Sequence, residues 1–237
     1  MRIGGVDGVP TGWVVCVVSG IGSVPASGAA ETVEMAEAEV RWSVVPDAAA
    51  VLEATAGCDA VAVDIPLALP VDGTRREAER LAAARLGPAR SSLFPTPPEP
   101  VLTADSYESA CAAAQRVTGR KISLQAWYIV PKIAEFQQVT LPAHVVEAHP
   151  ELSFRTLAPQ VRFASKKTAR GAGQRVAALS SWLSPAAALG DLPGAARMDD
   201  VLDALACAWT ASRVAAGTAE LLGPGADARG RSTAIAV

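Results

Sequence analysis

Histidine is nearly absent from this chain: there are two in 237 residues, His144 and His149. That scarcity removes most zinc sites, whose ligands are largely cysteine and histidine, and most histidine-based proton transfer. The four cysteines, Cys16, Cys58, Cys111 and Cys207, stand far apart with no Cys-x-x-Cys pair. This excludes a zinc knuckle, a dithiol redox motif and a disulfide framework, and leaves them as small core residues. Long apolar runs are also missing. Trp13 to Val18 is far too short to span a bilayer, and Met1-Arg2-Ile3 does not open the extended apolar region of a secretory signal. A soluble, cytoplasmic protein without membrane contact is expected. A net charge of −3 gives no global attraction for nucleic acid. Two glycine and serine signatures fail as well. Gly4-Gly5-Val6-Asp7-Gly8 has neither the dinucleotide spacing nor the Lys-Ser/Thr ending of a phosphate loop, and Ser91-Ser92 lacks a Gly-x-Ser-x-Gly elbow.

What is present is apolar sequence, 50% of the chain, enough for one large α/β domain or two small ones. Arg2 to Val6 and Trp13 to Val18 read as strands joined by a turn containing Gly8, Pro10 and Gly12. Val40 to Val45 supplies a third strand, Asp47 to Ala54 a short helix capped by Asp47, and Ala60 to Ile65 a buried strand stopped by Pro66. A helix is expected over 74–86, a Pro-rich loop over 91–100, helices near 104–117 and 124–139, and a strand over 144–148 broken by Pro150. Helices near 167–183 and 198–216 complete the pattern. One domain over 1–222 is expected, with an inserted helical part around 74–140 and a Gly-rich polar tail over 223–237.

Into this apolar background the chain places carboxylates. Asp7 closes the run Arg2-Ile-Gly-Gly-Val, Asp64 interrupts Val61-Ala-Val-Asp-Ile, Glu147 sits in Val145-Val-Glu-Ala, and Asp199, Asp200 and Asp203 open an apolar helix. A carboxylate withdrawn from water needs a cation or neutralises. Acids from distant points of the chain, with little histidine nearby, point to oxygen-ligated Mg²⁺ or Mn²⁺. Plainer readings stand beside this one. Asp7 can simply start the Asp7-Gly8 bend, Asp64 can face outward, and Asp199 and Asp200 can serve as helix caps. Asp203, deeper in the helix, escapes the capping reading best. His149 shares a strand face with Glu147 if the strand runs through both, so either could serve a metal or act as a base. The charge is uneven: Arg162 to Arg175 contains Arg162, Lys166, Lys167, Arg170 and Arg175 and no acid. Such a run is commonly a solvated helix face. It is also the best placed to touch phosphate.

Taken together, Gly5-Val6-Asp7-Gly8 with Gly12-Trp13, Val63-Asp64-Ile65-Pro66, Gly73-x-Arg75-Arg76 leading to Leu86-Gly87, Ser92-Leu93-Phe94-Pro95, Glu147-x-His149-Pro150-Glu151-x-x-Phe154, Ser165-Lys166-Lys167 and Asp199-Asp200-x-x-Asp203-Ala204 resemble the domain of unknown function 429 family, described as predicted RNase H-like nucleases. The resemblance implies a ribonuclease H-like fold, a mixed central sheet with its first three strands antiparallel, flanked by helices. It further implies that Asp7, Asp64 and Asp200 or Asp203 surround one or two divalent cations, with Glu147 as a further member. This chain departs from the family's pattern after Arg76, carrying Glu79 and Ala83 where an aspartate and an arginine are usual.

The resulting expectation is a metal-dependent phosphodiesterase acting on nucleic acid. Asp7, Asp64 and Asp203 hold Mg²⁺ or Mn²⁺, Asp200 and Glu147 complete the catalytic set, and Lys166, Lys167 and Arg175 bind the substrate backbone. Two alternatives remain open: a non-catalytic nucleic-acid-binding or scaffold protein of the same fold, and an actin/sugar-kinase-like phosphotransferase, for which the phosphate loops are missing.

Overall fold

Valine-rich runs with few breakers set the first strands. In the computed structural model, which describes residues 1–21, 38–70 and 73–237, β1 (Arg2–Val9) and β2 (Gly12–Ser19) form a hairpin, and β3 (Glu39–Val45) pairs antiparallel with β2. Gly12 closes the turn with φ 140°, and a Cβ there would lie 2.0 Å from the Val45 carbonyl oxygen, so only glycine fits. Asp47 accepts a hydrogen bond from Ala50 N at 2.9 Å and starts α1 (Ala48–Ala54). The chain then returns as β4 (Ala60–Val63), parallel to β1, with Val6 opposite Val63.

Between β4 and β5 (Val145–Ala148) lie α2 (Glu77–Leu86), α3 (Tyr107–Thr118) and α4 (Leu124–Gln137). After β5, which runs parallel to β4, come α5 (Pro150–Leu157), α6 (Ala169–Leu179), α7 (Pro185–Leu189), α8 (Met198–Ala215), β6 (Leu221–Leu222) and β7 (Ile235–Ala236). The result is a mixed seven-stranded sheet of order β3-β2-β1-β4-β5-β7-β6 with helices packed on it. Among the described residues no helix is long and apolar enough to cross a membrane. All four cysteines are free and buried.

The strand before Pro150 ends at Ala148 as expected, and Pro150 also begins a helix not expected from the sequence, occupying the first position of α5, where its missing N–H has no intrahelical role. One expectation is corrected here. Residues 223–237 are not simply a polar tail: Ile235 and Ala236 form β7 between β5 and β6, and Val237 is fully buried. A two-residue strand is too short to leave a period in the sequence.

The sheet divides the core. On one face Val6, Trp13, Val15, Val61 and Val63 pack with α1 and α4 residues such as Val51, Ile133 and Phe136. On the other, Ile3, Val14, Cys16 and Ala62 pack under α8 through Leu202, Ala204, Leu205 and Ala208. Helix α8 is buried almost all round from Val201 to Ser212, as its unbroken apolar sequence requires. Its closeness to β1 depends on Gly5. A Cβ at that position would fall 2.0 Å from Ala204 O, 2.4 Å from Ala208 N and 2.8 Å from Ala208 Cβ. Two of those atoms are backbone and cannot rotate away, so Gly5→Ala must push the helix off the strand. It is expected to cost about 3 kcal/mol, the upper part of the usual overpacking range. The urea midpoint measures this, and an unchanged midpoint would show that α8 is not seated on β1 in this way.

Candidate functional site

Where β1 and β4 end, the sheet opens into a cleft of ≈ 760 Å³. Such strand ends are where α/β sheets place ligands. Val6 and Val63 are paired neighbours, so the next residue of each strand, Asp7 and Asp64, emerges at the same edge. The Asp64 N–H still donates to Val6 O at 3.0 Å, which holds the two chain ends together. Asp203 comes from the second turn of α8, the helix that Gly5 admits, and Asp7 faces the same side of the sheet as Gly5 by alternation. Asp7, Asp64 and Asp203 all line the cleft. Asp7 is 8% and Asp203 2% exposed, while Asp64 keeps more of its surface open to the cleft.

The electrostatics follow from this crowding. Burial, reinforced by the charges of Asp64 and Asp203, raises the Asp7 carboxyl well above its ordinary range, although Gly8 N donates to its Oδ1 at 2.7 Å. Burial pushes Asp64 up to about 7, with Lys166 opposing and Glu147 and Glu151 adding to the rise. Burial likewise pushes Asp203 up to about 7 despite its direct ion pair with the Lys166 ammonium. For Lys166, burial alone would lower the ammonium; Asp203, Asp7 and Asp64 outweigh it and hold the group above its ordinary value. Three carboxylates therefore share one cation. The second oxygen of Asp203, Oδ1, is buried with no hydrogen-bond partner. Among the described residues no group of three or more Asp, Glu, His or Cys side chains is spaced to hold a metal ion.

Glu147 lines the cleft but belongs to another system. It pairs in register with Val63, so it occupies the α4 face of the sheet and not the α8 face. There Arg76 grips it with two hydrogen bonds, Nη1 to Oε2 at 2.7 Å and Nη2 to Oε1 at 2.5 Å, and Leu67 N donates to Oε2 at 2.9 Å. The remaining Arg76 Nε donates to Glu79 at 2.9 Å, and Thr96 N donates to the same oxygen of Glu79 at 3.0 Å. Glu79, the position that departs from the family pattern, is thus a buried partner of Arg76. Sequence alone assigns Arg76 and Glu79 no role in a site, because an Arg-Arg-x-x-Glu spacing reads as an ordinary helix start.

Two further sequence expectations are corrected. Asp200 does not line the cleft; its carboxylate accepts from Arg197 N at 3.2 Å, in the helix-starting role that its position allows. Arg175, expected on the substrate backbone, is 2% exposed and already committed. It pairs with Glu151, donates to Ala164 O at 2.9 Å and Gly171 O at 3.0 Å, and lies over the adjoining rings of Phe154 and Phe163 at 5.3 and 5.2 Å. Its work is to tie α5 and α6 to the segment that carries Lys166. Lys167 is exposed on the cleft wall. His149 also lines the cleft. Its Nε2 lies 3.4 Å from Ser92 O, its Nδ1 is buried without a partner, and burial lowers its pKa, so the ring is neutral at pH 7.

A mixed sheet whose parallel strand ends carry buried acids above an open cleft defines an α/β protein built around a carboxylate site. The chain belongs to the family described as Protein of unknown function (DUF429), which it matches over residues 5–228. All the cleft acids fall inside that match, and β7 falls outside it. No curated protein and no solved structure matched the chain.

The raised carboxyls make stability depend on pH with a definite sign. In the folded state Asp64 and Asp203 hold their protons up to about 7, whereas unfolded aspartate releases its proton near 4. Across that window the folded state binds more protons, so stability falls as pH rises from about 4 to about 7, and the raised Asp7 carboxyl adds to the fall in the same direction. With chelator present, Asp64→Asn should flatten this slope and stabilise the chain at pH 8 by on the order of 1 kcal/mol. Urea midpoints at pH 5 and pH 8 measure it; a variant less stable at pH 8 would mean that Asp64 is held by an attraction. On the other face, Arg76→Met leaves Glu147 buried without its cation and Glu79 with Arg75 alone, and should lower stability by about 3–5 kcal/mol, read from the urea midpoint.

Proposed function

We propose that this protein is a divalent-metal-dependent phosphodiesterase of ribonuclease H-like fold that acts on nucleic acid. The observation that carries the reading is the meeting of Asp7, Asp64 and Asp203, from β1, the end of β4 and α8, on one cleft around the Lys166 ammonium. The strand order, with β1 to β3 antiparallel and β4 and β5 parallel to β1, supports the fold assignment. An orphaned, buried Asp203 oxygen and carboxyls that resist ionisation fit a hard cation, since oxygen donors with unbalanced charge are its preferred ligands.

Asp7, Asp64 and Asp203 would hold Mg²⁺ or Mn²⁺, which supplies charge to stabilise the attacking and leaving oxygens of phosphodiester hydrolysis. The chain's own groups do the remainder. The burial of Asp7 and Asp203 strengthens each charge at that point of the cleft. Lys166, whose partner Asp203 would also hold the cation, offers its ammonium to a non-bridging phosphate oxygen, and Lys167 holds the neighbouring phosphate. Arg175 keeps the Lys166 segment in place through Glu151 and the two phenylalanine rings.

A second reading has one observation in its favour: the Lys166–Asp203 ion pair fills part of the acid site without any metal. On that reading the chain binds nucleic acid without turnover. Two measurements separate them. Mn²⁺ should raise the melting temperature of the wild type and not of Asp203→Asn, because a ligand of the folded state alone stabilises it. The same variant should lose Mn²⁺-dependent cleavage of a labelled nucleic-acid panel by at least about 100-fold while binding changes little, as for a group that acts on the transition state. A wild type that neither responds to Mn²⁺ nor cleaves any member of the panel overturns the enzyme reading.

A further inference from the structure

The shape of the cleft and one unemployed side chain at its wall narrow the substrate. Asp7 and Asp203 lie at the floor, 8% and 2% exposed, inside a space of ≈ 760 Å³. That is the size of pockets that enclose small ligands, about 300 to 1,000 Å³. A stacked duplex keeps its base faces inside the helix and has none to offer a ring at the cleft wall, whereas a single strand does.

Helix α4 forms one wall and presents Tyr128, Ile129 and Lys132 to the cleft. Its core face is complete without Tyr128: Ala126, Val130, Ile133 and Phe136 are the buried positions. Lys132 is engaged, donating to Gly12 O at 2.5 Å and lying 4.4 Å over the Trp13 ring. Tyr128 is 70% exposed. Among the described residues it enters no ring pair and no hydrogen bond. The chain has two tyrosines, and the other, Tyr107, packs against Trp127 and donates its hydroxyl to Ile122 O at 3.0 Å. An aromatic ring left free at the mouth of a charged cleft is the element that single-strand-binding surfaces use to stack a base while cations track the backbone. Lys167, exposed on another wall of the cleft, is such a cation.

We propose that the cleft takes single-stranded nucleic acid, with a base stacked on Tyr128 and the adjoining phosphate between Lys167 and the acids of the floor. The inference rests on the nucleic-acid reading above but not on turnover.

Fluorescence anisotropy on the full chain in Ca²⁺, which takes the same oxygen ligands, with a labelled 12-nucleotide single strand, a blunt duplex of the same length and unlabelled mononucleotide as competitor, tests it directly. The single strand should bind at least about 10-fold more tightly than the duplex. Tyr128→Ala should weaken single-strand binding by about 5- to 100-fold, the usual range for losing one base–aromatic stack, while Tyr128→Phe keeps it. Circular dichroism spectra of both variants should match the wild type, because the side chain leaves the core untouched. Equal binding of duplex and single strand, unchanged single-strand binding by Tyr128→Ala, or mononucleotide competing as well per molecule as the strand each overturns the proposal. Failure of the hydrolysis reading looks different: Tyr128-dependent strand binding would persist while no substrate is cleaved in Mg²⁺ or Mn²⁺.

Discussion

The contact of α8 with β1 across Gly5 is the constraint on which the site depends. A helix normally stands about 10 Å from a sheet because side chains keep it there, and a missing Cβ removes one spacer. With Gly5 in β1 and Ala204 and Ala208 in α8, backbone meets backbone, and Cys16 Sγ donates to Ala204 O at 3.5 Å from the adjoining strand. The helix held against the strand by this contact carries Asp203 with only 2% of its surface exposed. Small side chains two positions before one acid and one position after the other thus set how dry, and how reluctant to ionise, both acids are.

Two charge systems meet in the cleft with opposite characters. In the group of Arg76 with Glu79 and Glu147, three of the four carboxylate oxygens accept from a guanidinium or a backbone N–H, while Glu79 Oε2 is buried without a hydrogen bond and has Arg75 at 3.5 Å. At Glu147 the geometry matches the fork of the guanidinium to a carboxylate. The group on the other face of the sheet has three carboxylates to one ammonium and a buried oxygen without a donor. Charge left unbalanced inside a protein is costly, and sites that bind cations are a common place to find it. What separates the two groups is charge balance: Glu79 and Glu147 have Arg76 between them and Arg75 beside Glu79, whereas Asp7, Asp64 and Asp203 are crowded around Lys166.

Residues whose role is decided locally were readable in the sequence. The hairpin follows from valine runs around Gly12, the α1 cap from Asp47, and the burial of Asp7 and Asp203 from the apolar residues beside them. Roles decided by distant partners were not. Arg175 sits in a basic run that looks solvated, and only the folded chain brings Glu151, Phe154 and Phe163 around it. Glu147 was grouped with the aspartates because its strand is apolar, but the parallel register with Val63 turns it to the face of Arg76. Asp200 and Asp203 share a helical face in sequence, and depth along α8 separates their fates. Tyr128 gave no signal, since an exposed ring in a helix carries meaning only once a cleft lies beside it.

The placement of β7 has a consequence for how the chain reaches this structure. Its residue Ile235 pairs with Glu147 of β5, and β6 joins the sheet through β7 alone. During synthesis the outer edge of β5 therefore stays without its neighbour until the residues near 235 have emerged. Unpaired edges of this kind invite pairing with other chains, and contacts of long sequence separation form slowly. Helix α2, whose Ala78 backbone lies so close that a Cβ at Gly223 would fall 2.3 Å from its N, meets the connection from β6 to β7. That helix, made much earlier, thus offers the connection a surface to pack on before β7 can pair with β5.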